Sequence, residues 1–340
     1  MSDTFPVLTG DIGGTNARFE WVASKSSAPR PLGTVKTAEF EGPEAAIAQC
    51  LSDAGLSAPK SALLAAAGPI TDEGLDLTNC HWVIRPQDFL RRTNITRLQL
   101  LNDFEAQALA LPFFAPSDLL PIGETAKSLP HLDDTVGFSK AVLGPGTGLG
   151  VGLMIRAQGK WVPVPGEGGH VDLGPRSAFE NEIWRHLEPI EGRVSGEQIL
   201  SGRGLENLHR AVLLATATDD GLRTAPEITE RGLADDTSTS ARTLNLFCTF
   251  LGRVAGDLAL VSMAYGGVYL AGGIVKKIAP FVQSSHFRAA FEDKAPHGAL
   301  MRSMPTWLVE HELPALLGLA HLAQTPDHFL MDLDHRSWEI

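Results

Sequence analysis

Asp11-Ile12-Gly13-Gly14-Thr15-Asn16-Ala17-Arg18 lies between two apolar runs, Phe5 to Leu8 before it and Ala17 to Ala23 at its end. The first run is short and unbroken, as in a buried strand. The second carries Arg18 and Glu20, as in a strand with one wet face. Gly13 and Gly14 let the backbone turn where a Cβ would clash. The stretch therefore predicts a β-hairpin with a bare glycine tip. Its backbone N–H groups and the Thr15 hydroxyl suit a phosphate. Asp11, at the end of the incoming strand, suits a hydrated Mg²⁺. The same Asp-x-Gly-Gly pattern also reads as an ordinary tight turn, so its meaning depends on the rest of the chain.

With 340 residues the chain is long enough for two domains or one large one. A hydrophobic fraction of 44% and a charged fraction of 20% are those of a soluble globular protein. A net charge of −12 argues against a nucleic-acid partner, which needs a basic face, and against an anionic membrane surface. Cys50, Cys80 and Cys248 are far apart and form no Cys-x-x-Cys pair, so neither a zinc knuckle nor a redox dithiol is signalled. Sparse cysteines, no secretory signal, and apolar runs such as Leu63 to Ala67, far below the roughly 20 residues of a membrane span, lead us to expect a cytoplasmic protein.

Taken in order, residues 24–36 are polar with two prolines and read as a loop. Residues 43–55 have helical spacing and stop at Gly55. Ser61 to Ala67 and Arg97 to Leu101 read as strands, and Phe104 to Leu111 as a helix stopped by Pro112. Residues 113–135 are rich in Pro, Ser and Asp and read as a crossing between domains. Lys140 to Leu143, the glycine-rich Gly144 to Gly150 and Val151 to Ile155 then repeat the opening plan of strand, glycine tip with a threonine, and strand. This suggests an internal duplication with a nucleotide between the halves. Helices are expected over 178–188, 204–215 and 241–263, with 217–240 an exposed acidic excursion. Gly267 to Ala271 reads as a strand ending in Gly272-Gly273, Trp307 to Val309 as a late strand, and Leu313 to Gln324 as a helix returning to the first domain. Strands alternating with helices indicate an α/β protein.

Neither G-x-x-x-x-G-K-[ST] nor G-x-G-x-x-G occurs, so a nucleotide would be held by the hairpin loops. Gly144 to Gly150 places four glycines in seven residues around Thr147, although a flexible turn has the same look. Asn102-Asp103 closes a strand, where site residues collect in α/β sheets. A carboxylate there can take a proton from an attacking hydroxyl. Asn or Asp before an apolar helix is equally an N-cap, and the two residues can divide the roles. Glu167 and His170, three apart in a glycine-rich loop, can present hydrogen-bonding groups to a polyhydroxyl ligand. The glycines exclude the helix on which a zinc-binding H-E-x-x-H would lie. Glu197 alone reads as a solvated or capping carboxylate, with Ser195 a candidate N-cap.

In this order, GDIGGTNAR (10–18), LLNDFEAQA (100–108), GPGTGLGVG (144–152), PGEGGHVDL (165–173), RVSGEQILSG (193–202) and GGVYLAGGIV (266–275) resemble the bacterial glucokinases of proteobacterial type. That family belongs to the hexokinase–actin–Hsp70 superfamily. The resemblance implies a two-domain ribonuclease H-like α/β fold with a cleft between domains. The small domain would hold residues 1–112 and about 314–340, and the large one 113–313. It also implies ATP-dependent phosphorylation of glucose at the 6-hydroxyl, with Asp103 as general base. Asn102, Asp103, Glu167, His170 and Glu197 would bind the sugar. Gly10, Asp11, Ile12, Gly13, Gly14 and Thr15 would form the first phosphate loop, and Gly144, Thr147 and Gly148 belong to the second. Gly272 and Gly273 would lie near the adenosine. Mg²⁺ would accompany ATP, with Asp11 as its partner through water, and the protein would be a homodimer. Arg203 stands where a proline is common, Ala315 where a glycine is common, and Ser262-Met263-Ala264 departs from the usual run. Two alternatives stay open at this point. One is a kinase for another hexose. The other is an actin- or Hsp70-like ATP switch, which would have no use for the set Asp103, Glu167, His170 and Glu197.

Overall fold

The computed structural model describes residues 4–78, 80–124 and 138–340. The chain opens with β1 (Val7–Ile12), β2 (Asn16–Val22), β3 (Arg30–Lys36), α1 (Pro43–Ala54) and β4 (Ser61–Ala66). Three short strands, β5 (Ile70–Thr71), β6 (Gly74–Asp76) and β7 (Val83–Ile84), precede α2 (Pro86–Thr93), β8 (Arg97–Asn102) and α3 (Asp103–Ala110). Then come β9 (Leu119–Ile122), β10 (Lys140–Pro145), β11 (Leu149–Ala157), β12 (Lys160–Gly166), α4 (Ala178–Trp184), α5 (Gly202–Thr216), α6 (Ala225–Ala234) and α7 (Thr239–Ser262). The chain continues through β13 (Val268–Leu270), α8 (Gly273–Lys277), α9 (Ala279–Ser284), α10 (Phe287–Glu292), α11 (Gly298–Ser303) and β14 (Thr306–Val309). It closes with α12 (Pro314–Gln324) and β15 (Ser337–Glu339).

Two units result, Met1–Phe113 with Met154–Pro165 and Glu312–Ile340, and Phe114–Leu153 with Gly166–His311. Residues 154–165, expected with the large domain, group with the first unit. There Trp161 bridges to Phe329 and its carbonyl accepts from Leu330 N at 2.8 Å.

The first unit's sheet has the order β15-β8-β4-β1-β2-β3. β1, β4 and β8 are parallel, and β2, β3 and β15 each pair antiparallel with a neighbour. β4 is buried along its whole length, as a central parallel strand should be. The other large sheet has the order β12-β11-β10-β13-β14-β9, with β10, β13 and β14 parallel and β9 antiparallel to β14. The strand plan is the same in both: two strands on one flank, a parallel trio, and an antiparallel edge. Each sheet has its own core. The first gathers Leu8, Phe19, Leu64, Trp82 and Phe89, and the second Leu143, Leu205, Leu244, Phe247 and Leu251.

α7 is the one helix among the described residues long and apolar enough to cross a membrane by length and composition. It is a core helix: Leu244, Phe247, Phe250 and Leu251 are fully buried. Arg253 donates to both carboxylate oxygens of Glu180 at 2.7 and 2.8 Å.

Several expectations are corrected. The first strand begins at Val7 and runs through Asp11 to Ile12, not from Phe5 to Leu8. Residues 30–36, expected as loop, form β3, an exposed edge strand where Pro31 costs no inner hydrogen bond. The excursion expected over 217–240 contains α6. The Glu227 carboxylate accepts from Thr224 N and Oγ1 at its start, and Ile228 is fully buried. The first of the expected helices ends at Trp184, four residues short of 188. The crossing expected over 113–135 is described only to residue 124, and there it holds β9. Ala315 is buried on α12, Arg203 is exposed in the first turn of α5, and Met263 ends α7 with φ +49°.

Candidate active site

In the first unit, register brings the candidate residues to one edge. Ile12 pairs with Ala66 and Ala66 with Asn102, so the three stand in a row at the C-terminal ends of parallel strands. The hairpin tip that follows Ile12 and the helix that starts at Asp103 thus leave the sheet at the same end, two strand spacings or about 10 Å apart. This is where α/β sheets place ligands.

The tip itself is Gly13 to Thr15. Gly13 N donates to Asn16 O at 2.9 Å, Thr37 N to Thr15 O at 3.0 Å and Thr37 Oγ1 to Gly14 O at 2.9 Å. Thr37 therefore engages two tip carbonyls while Gly14 and Thr15 stay exposed. Gly10 and Ile12 lie within the strand instead. A Cβ at Gly10 would fall 2.6 Å from Leu64 Cδ2, so packing demands that glycine, and the Ile12 side chain is in the core. Asp11 is 3.6 Å from Arg18, its cross-strand partner. Burial raises its carboxyl above the ordinary value, and the Arg18 charge works against that rise.

Asn102 is the N-cap of α3. Its Oδ1 accepts from Phe104 N at 2.9 Å and Glu105 N at 3.2 Å, while Glu105 Oε2 accepts from Asn102 N at 3.4 Å. Asp103 is the first helical residue, half-buried, and its Oδ1 accepts from Phe104 N at 3.0 Å. Asn102 thus does the capping, and the candidate base is the next residue.

In the second unit, the loop between β10 and β11 is knitted to two other segments. Gly146 N donates to Gly148 O at 2.8 Å, and Gly202 N, at the start of α5, to Gly146 O at 2.9 Å. Glu197 Oε2 accepts from Leu149 N at 2.9 Å, and a Cβ at Gly148 would lie 2.4 Å from that same oxygen. Glu197 N donates to Gly169 O at 2.8 Å. A Cβ at Gly169 would come within 2.1 Å of Leu149 O, so the GEGGH glycines permit close backbone approach. His170 Nε2 stands 3.6 Å from Glu167 Oε2 and 4.0 Å from Glu197 Oε2. Glu197, distant in sequence, thus joins Glu167 and His170 in one cluster, with the exposed Thr147 on the loop beside it. Among the described residues no group of three or more His, Cys, Asp or Glu is placed to hold a metal ion.

Gly272 and Gly273 follow β13, which pairs with β10 at Leu270 and Leu143. Gly272 has φ +94° and a Cβ there would fall 2.7 Å from Pro145 O, so it lies against the glycine loop. Sequence reasoning missed the braces. Arg193 donates to Asp172 Oδ1 at 2.6 and 2.9 Å and to His170 O at 3.1 Å, fixing the loop from 21 residues away. The contact from Gly202 was also unforeseen, although Ser201 ahead of an apolar helix is an N-cap signal, and its Oγ does accept from Gly204 N.

A family model described as Glucokinase matches residues 8–326. The glucokinase of Agrobacterium fabrum is 51% identical over 335 residues, which is 98% of this chain and 96% of that protein. That of Chelativorans sp. is 51% identical over 336 residues, 99% of this chain and 96% of that one. The crystal structure of a glucokinase from an Antarctic psychrotroph is similar with a TM-score of 0.80 at 29% identity, covering 94% of this chain and 99% of that chain.

Proposed function

The chain belongs to the glucokinase family and is a kinase that phosphorylates glucose with ATP, and we propose that Asp103 carries its chemical step. The observation behind this reading is the position of Asp103. It is the first residue of α3, at the C-terminal end of a parallel strand, with its turn fixed by the Asn102–Glu105 cap.

In this reading the 6-hydroxyl of glucose attacks the γ-phosphorus in line. Asp103 accepts the hydroxyl proton as the new O–P bond forms and ADP leaves. Asn102 donates to the sugar through its amide NH2, its oxygen being engaged by the cap. Glu167 and Glu197 accept from sugar hydroxyls, and His170, between them, orients a further one. The amides of the Gly13–Thr15 tip and of the Gly144–Gly148 loop, with Thr15 and Thr147, cradle phosphates. Gly272 and Gly273 border the adenosine.

Asp11 fits a magnesium ion that arrives with the nucleotide. It is a carboxylate near the end of β1, beside the glycine tip, and would hold the ion through water, since Mg²⁺ usually keeps several of its waters. When bound, such an ion supplies neutralisation of phosphate charge. We further propose a cytoplasmic homodimer with neither nucleic acid nor membrane as partner. Light scattering on the purified protein reads the dimer.

A coupled ADP-release assay over glucose, fructose, mannose and N-acetylated hexosamines tests the substrate. Glucose is expected to give the highest kcat/KM. Faster turnover of another hexose would move the assignment to that sugar.

A further inference from the structure

We propose that Arg336 is a positioning residue for Asp103, acting through Glu105. The inference rests on Asp103 being the base. β15 pairs antiparallel with β8, Ser337 opposite Gln99. The residues just before Ser337 therefore run beside the end of β8, towards the start of α3. There Arg336 Nη1 lies 2.5 Å from Glu105 Oε2, while Nη2 donates to Asp332 O at 3.1 Å.

Glu105 is 1% exposed, and its Oε2 is the oxygen that closes the cap on Asn102 N. A buried carboxylate is tolerated when paired and strongly disfavoured when its partner is removed. Without the guanidinium, the Glu105 carboxylate turns towards water, and that change loosens its hold on Asn102 N. Asp103 lies between the two capping residues, and Phe104 N bonds both Asn102 Oδ1 and Asp103 Oδ1. Loosening the turn displaces the Asp103 carboxylate, and a shift of about 1 Å at a reacting group can cost on the order of 10²-fold in rate.

The experiment compares Arg336→Met, Arg336→Ala with millimolar guanidinium, and Glu339→Gln in the full-length enzyme. Glu339 pairs with Arg97 at 3.1 Å and anchors the same tail without touching Glu105. Arg336→Met is expected to lower kcat by roughly ten- to a hundredfold, with KM for glucose and ATP within about threefold. Guanidinium should restore part of the kcat of Arg336→Ala, and Glu339→Gln should keep wild-type kcat. Folded Arg336→Met with kcat within twofold of wild type overturns the proposal, and so does an equal loss in Glu339→Gln. If Arg336→Met does not fold, Glu105→Leu combined with it leaves neither a stranded charge nor an acceptor for Asn102 N, and wild-type kcat in that double variant overturns the proposal. An active Asp103→Asn enzyme takes down the base assignment itself. An inactive Asp103→Asn beside a fully active Arg336→Met takes down only this inference.

Discussion

The two large sheets share a strand plan, but the two units hold the side chains proposed for function in opposite ways. In the first, Asp103 is fixed by its immediate neighbours: Asn102 caps the turn from one side and Glu105 from the other. In the second, Glu197 and the His170 backbone are held by segments distant in sequence, through Leu149 N, Gly169 O and Arg193. A group that must transfer a proton gains from a stiff local frame, because its geometry then depends on few other elements. Groups that bind a polyol gain from convergence of several loops, because no one segment can surround a ring.

The largest expected effect tests the chemical half of this contrast. Asp103→Asn should lower kcat by about 10³-fold while glucose affinity persists. Stopped-flow rates with a separate binding isotherm check it, and near-normal turnover would erase the distinction. Next comes the stability of the second unit. Arg253 and Glu180 are a buried bidentate pair, 9% and 6% exposed. Arg253→Met should cost about 3–5 kcal/mol, and adding Glu180→Leu should recover most of it. Denaturant unfolding of both variants measures the difference.

A smaller effect probes the binding half. Gly148→Ala puts a methyl group 2.4 Å from Glu197 Oε2 and should push that carboxylate aside. Glucose KM should rise about tenfold, with kcat changed less, as for loss of one hydrogen bond to a charged group. Steady-state kinetics decide, and an unchanged KM would remove Glu197 from the sugar site.

The smallest effect lies in the first unit. His321 stacks on Phe113 with centroids 3.7 Å apart, and burial, then His328, lowers its pKa to about 4 from 6.5. The unfolded chain therefore binds the extra proton between these values. Stability is full above about pH 6.5 and falls as pH drops towards 4. For a half-buried ring we expect about 1 kcal/mol. His321→Phe should flatten this part of the pH–stability curve while keeping the stack.

Legibility in the sequence followed the same divide. The hairpin, the helix from Asp103 and the cap at Asn102 are local patterns, readable from glycine spacing and polar residues ahead of apolar runs. β3 escaped because Pro31 argues against a strand unless the strand is at an edge, and edges are set by tertiary order. α6 escaped because it buries little beyond Ile228 and Gly232. Spacing alone links Glu167 to His170, and only the family resemblance adds Glu197 to them. Arg253–Glu180, 73 residues apart, and Arg336–Glu105, 231 apart, had no local signal at all.

The Leu149 amide has one further implication. It belongs to the strand leaving the glycine loop, yet its acceptor is the carboxylate of Glu197. The start of that strand and the Glu197 side chain therefore move together, and a displacement of one is felt by the other.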